Sequence, residues 1–70
     1  MEEKDRAQLK SLIQTQKHIA SMIYADVHSL EFERDNNPHF GNGQAQALET
    51  AQSMYDAANA LAGYLERYLD

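Results

Sequence analysis

A chain of 70 residues with no cysteine and a net charge of −5 makes at most one small domain, and neither disulfides nor thiolate metal sites can hold it. At this size only about 60% of the unfolded surface leaves water on folding, so a core standing alone is marginal. Oligomerisation is the remaining device for strengthening it.

The composition, 43% hydrophobic and 24% charged with three glycines and one proline, is that of a folded protein. No apolar run approaches the roughly 18 to 20 residues that span a bilayer. The stretch Met1 to Arg6 carries charges of both signs without an apolar segment behind it, unlike a secretory signal. A soluble cytoplasmic protein without membrane association is therefore expected. Charge is unevenly placed: residues 1–20 carry four basic and three acidic side chains, and residues 21–70 two basic and eight acidic ones. Most of the chain repels a phosphate backbone, which disfavours nucleic acid as a partner.

The first helix is predicted over about residues 4–35. Glu2, Glu3 and Asp5 suit its N-terminal dipole, and neither proline nor glycine interrupts it. Leu9, Leu12, Ile13, Ile19, Ala20, Ile23, Val27 and Leu30 recur at three- and four-residue steps, within a sector of roughly 120° on a helix. Gln16 lies in the middle of this stripe, where a buried amide can fix register or an edge amide can reach water.

Asp35-Asn36-Asn37-Pro38-His39-Phe40-Gly41-Asn42-Gly43 contains the predicted loop, about residues 36–43. Pro38 disfavours the helical conformation at Asn37, Gly41 and Gly43 offer unusual backbone angles, and Asn42 or Gly43 can cap the following helix. A second helix follows over about residues 44–69. Its predicted stripe is Ala47, Ala51, Met54, Ala58, Leu61 and Leu65, flanked by Leu48, Tyr55, Ala62, Tyr68 and Leu69. The alanines let the backbones approach, with Met54, Leu61 and Leu65 as the large knobs. Gln52, Asp56, Asn59, Gly63 and Glu66 are expected to face water.

Residues 1–70 thus read as a single all-α domain, a two-helix antiparallel hairpin. Both apolar stripes are wider than one neighbouring helix covers. Two identical hairpins packed into a four-helix bundle would close them, with Leu9, Leu12, Ile13, Gln16, Ile19, Ile23, Val27, Leu30, Met54, Ala58, Leu61 and Leu65 in the core or dimer seam. A different protein completing the hairpin is the alternative closure. In shape the four-helix arrangement is similar to the small RNA-binding plasmid-copy-number regulators called Rop; the comparison rests on architecture, and no matching sequence motif is present.

No constellation for chemistry emerges. His28 and Glu31 are three apart on a helix but reverse the Glu-x-x-His order of di-iron bundles. No serine sits on a strained elbow beside a base. Gly41-Asn42-Gly43 lacks the lysine and preceding strand of a phosphate loop. A non-enzymatic protein without metal or cofactor is expected. Met22, Tyr24 and Phe32 lie off the main stripe and Glu31, Glu33 and Asp35 cluster near the hairpin tip, together a candidate surface for a protein partner. Phe32 has a second possible place, under the loop against Phe40. The resulting expectation is a dimeric adaptor, inhibitor or small chaperone that occludes its target with an amphipathic surface. The alternative is a Rop-like regulator binding RNA through Lys10 and Lys17.

Overall fold

The computed structural model describes residues 1–69, and among them the chain forms two helices and no strand. Helix α1 spans Glu3–Asn36 and α2 spans Asn42–Glu66. They lie side by side in an antiparallel hairpin, a rod of 55 × 15 × 14 Å.

Pro38 stops α1 where expected. Asn37 is extended, with φ −111° and ψ 111°, and its N–H still donates to the Glu33 carbonyl at 2.8 Å. Side chains finish the end: Asn36 Nδ2 donates to the Phe32 carbonyl at 2.9 Å, and the His39 N–H donates to Asn37 Oδ1 at 2.9 Å. The second helix starts two residues earlier than predicted, because Gly41 rather than Asn42 or Gly43 is the capping residue. Its N–H donates to Gln44 Oε1 at 2.9 Å, and its carbonyl accepts from Ala45 at 3.0 Å. Neither loop glycine uses a positive φ, and Gly43 already lies in the first turn of α2. Beyond Glu66 the chain tightens into i to i+3 bonds, with Tyr68 N–H donating to the Leu65 carbonyl and Leu69 N–H to that of Glu66, both at 3.1 Å.

The seam between the helices follows a heptad, written abcdefg. In α1, Ile13, Ala20 and Val27 take position a and are buried, while Leu9, Gln16, Ile23 and Leu30 take position d and are half-buried. On the α2 side, Leu48, Tyr55, Ala62 and Leu69 take a, and Ala51, Ala58 and Leu65 take d. Alternating steps of three and four keep one narrow line facing the neighbour along the whole rod.

Within the hairpin that line is narrower than the expected inward set, which took core and dimer seam together. Leu12 and Ile19, assigned to the buried stripe of α1, stand beside the seam and are exposed. Met54 and Leu61, expected as large knobs of the helix pair, and Ala47 are exposed as well; Leu65 takes the expected role, joined by Leu48 and Tyr55. A single neighbouring helix covers only positions a and d, and these side chains occupy position g.

The buried core is thin. It comprises Ile13, Ala20, Val27, Leu48, Ala58 and Ala62 among the described residues, half of them alanines, which brings the backbones together but buries little apolar area per residue. Gly63 faces water, and a Cβ built there meets nothing within 4 Å. Gly63→Ala should therefore stabilise the protein by about 1 kcal/mol through helix propensity alone. An unchanged midpoint in urea titration would show that a neighbour absent from the hairpin needs that space.

Candidate apolar interface

In an antiparallel helix pair, the e positions of the two helices meet on one side of the seam and the g positions on the other. The e side is polar here. Lys17 Nζ lies 2.6 Å from Glu66 Oε1, and a groove beside it is lined by Lys17, Ala20, Ser21, Tyr24, Tyr55 and Asn59. The Tyr24 ring tilts against Tyr55, with centroids 5.4 Å apart, and stacks on His28 at 6.2 Å. Aromatic packing of this kind covers the seam on that side.

The g side is different. Leu12 and Ile19 come from α1, Met54 and Leu61 from α2, and Tyr68 from the turn that follows. These five side chains are between 38% and 55% exposed. Met22 and Tyr64, at the adjoining c positions, widen the same strip and are also exposed. The strip occupies the middle of the rod and the part nearer its termini. Asp26 and Glu33 continue the g line towards the loop.

Tyr64 and Tyr68 are one helical turn apart, and their hydroxyls lie 3.0 Å from each other with the rings edge-on at 5.6 Å. This hydrogen bond, and the charge that would face Tyr64 on ionisation, hold the Tyr68 phenol above its ordinary pKa.

The six residues proposed from the sequence as a partner surface do not share one face. Met22 borders the g strip, Tyr24 and Glu31 lie on the e side, Phe32 is at f on the back of α1, Glu33 is at g and Asp35 at b. Phe32 is 64% exposed and does not fold under the loop with Phe40. Glu33 Oε2 accepts a hydrogen bond from Asn37 Nδ2 at 3.1 Å, and Asp35 Oδ1 accepts one from Arg34 Nε at 3.1 Å. Both carboxylates thus have local roles in the hairpin tip, while Glu31 is half-buried beside the seam.

The strip was hidden in the sequence inside a single broad stripe. The signal that separates it is the strict a/d spacing, which leaves Leu12, Ile19, Met54, Leu61 and Tyr68 at seven-residue intervals on their own line in each helix. Among the described residues no group of three His, Asp or Glu side chains is placed to hold a metal ion, and no helix is long and apolar enough to cross a membrane. Lys17, one of the two lysines considered for RNA contact, is engaged by Glu66, so the negative partner partly neutralises it. Comparison with protein-family models, with curated proteins and with solved structures gives no match.

Proposed function

We propose that this protein is a non-enzymatic helical hairpin that works by protein–protein association. Its g strip packs on that of a second copy to form a four-helix bundle, and the outer side of α1 receives a different protein as an adaptor, inhibitor or small chaperone would. The observation that carries the reading is the apolar strip confined to one flank of a molecule whose own core is thin. Contiguous exposed apolar side chains rimmed by polar ones mark association surfaces.

Area supports a partner of this size. The chain exposes 5378 Å², whereas a globular monomer of its 8.0 kDa would expose about 4,450 Å² by the scaling of surface with mass. The excess is close to the roughly 800 Å² that each side contributes to a standard protein interface. Neighbours four-in-a-bundle would cover position g, which a single hairpin leaves in water.

Multi-angle light scattering at micromolar concentration tests the reading. A mass twice 8.0 kDa is expected, and a compact monomer with a cooperative melt would refute the bundle. The partner arm is tested by affinity capture from the native host, mass-spectrometric identification and reconstitution with the purified candidate. Phe32→Ala should weaken that complex by about 1 kcal/mol or more, as an aromatic anchor does, while leaving mass and melting temperature unchanged, because Phe32 touches neither the seam nor the strip.

A further inference from the structure

Building on the self-association proposed above, we infer that the second copy lies antiparallel to the first, with its loop beside the first chain's termini and the two-fold axis passing near Leu61. Both possible alignments of two hairpins place antiparallel helices next to each other, so helix dipoles do not choose between them. Charge and the spacing of the strip do.

The loop end of the rod is strongly acidic. Residues 26–49 carry Asp26, Glu31, Glu33, Asp35 and Glu49 against the single cation Arg34. Residues 1–10 and 61–70 carry four basic and five acidic side chains and are close to neutral. A parallel pair would set one acidic tip against the other within the reach of unscreened repulsion, about 8 Å at physiological ionic strength. The antiparallel pair separates the tips by the length of the bundle. It also lays the termini, which are close to neutral, beside the acidic loop end of the partner subunit. Keeping like charges apart in this way fixes orientation more than it adds affinity.

The strip is symmetric about the same point. On the α2 side Met54, Leu61 and Tyr68 are evenly spaced, seven residues apart. A two-fold axis across Leu61 sets it against Leu61 of the partner subunit and Met54 against the partner's Tyr68. In α1 the apolar residues of the strip run from Leu12 to Met22, centred on residue 17. The Tyr24–Tyr55 contact puts Leu61 level with about residue 18 of α1, since both helices rise about 1.5 Å per residue. Both helices therefore give the same axis position. In a two-fold interface the patch must complement itself in this way.

The absence of cysteine makes a clean test available. His39 is exposed in the loop, and only its backbone N–H is engaged there, so His39→Cys carrying a nitroxide label should fold normally. Double electron–electron resonance on the dimer should give a label separation above about 50 Å, since the loops lie more than 20 residues from the axis at about 1.5 Å per residue. Oxidation of an equimolar mixture of Met54→Cys and Tyr68→Cys chains should give the mixed disulfide in excess over either symmetric one. A dimer with a short label separation and no excess of the mixed disulfide would overturn the antiparallel arrangement while leaving self-association intact. A monomer by light scattering would overturn both.

Discussion

Val27→Asp is expected to abolish the cooperative helical melt of this protein. Val27 is buried at the a position of α1, flanked along the seam by Ile23 and Leu30 and level with Ala51 when residues are counted from the Tyr24–Tyr55 contact. No Lys or Arg lies within a helical turn along α1 on either side of it, and Glu31 stands one turn away, so an aspartate there has no cation to pair with and meets a like charge. The effective cost of an uncompensated buried charge is several kcal/mol. The stability of 70 residues is itself only about 4–10 kcal/mol at the usual 0.05–0.15 kcal/mol per residue. Val27→Ala separates charge from size: it should cost about 2 kcal/mol and keep a sharp, earlier transition. Far-ultraviolet circular dichroism during heating distinguishes the two. A Val27→Asp chain that melts like the parent would mean that the seam is not where positions a and d put it.

The hairpin itself is written plainly in the sequence. Pro38 ends α1, and uninterrupted helix formers on both sides leave little else for the chain to do. What the periodicity does not separate is the seam from the strip beside it. Leu12 and Ile13 stand roughly 100° apart on a helical wheel, inside the same broad stripe, yet Ile13 is buried and Leu12 is half in water. A two-helix contact selects a line narrower than the 120° stripe, and only the unbroken three–four alternation from Leu9 to Leu30 identifies it. The start of α2 escapes notice for a different reason. Gly41 caps through its backbone, with Gln44 returning the bond, so no Ser, Thr or Asp marks the position. The partner residues proposed from the sequence share a place off the stripe or near the hairpin tip, and neither criterion selects one face of a helix. Hence Tyr24, Phe32 and Glu33 end on three different sides, with Tyr24 closing the seam against Tyr55 rather than standing free.

Ile19→Asp combined with Leu61→Asp is expected to yield a monomer whose melting temperature no longer depends on protein concentration. In the parent, association and folding are linked, so dilution should lower the midpoint by mass action. Both substituted residues are already partly covered by their own helices, at 38% and 43% exposure, and only the remaining apolar area is at stake. Finishing that burial stabilises the dimer by about 1 kcal/mol per side chain. Two sites in each of two chains make roughly 4 kcal/mol, or about a thousandfold in the dissociation constant, before the cost of desolvating four carboxylates is added. The hairpin should survive the change because neither residue lies in the a/d seam, although it will melt earlier once its partner is gone. The matched control is Gln52→Asp with Asn59→Asp, which places the same added charge on the polar e flank. That variant should retain the dimer mass in light scattering and the concentration-dependent melt. If both pairs of substitutions weaken association equally, net charge rather than the g strip governs it. If neither does, the copies meet through some other surface.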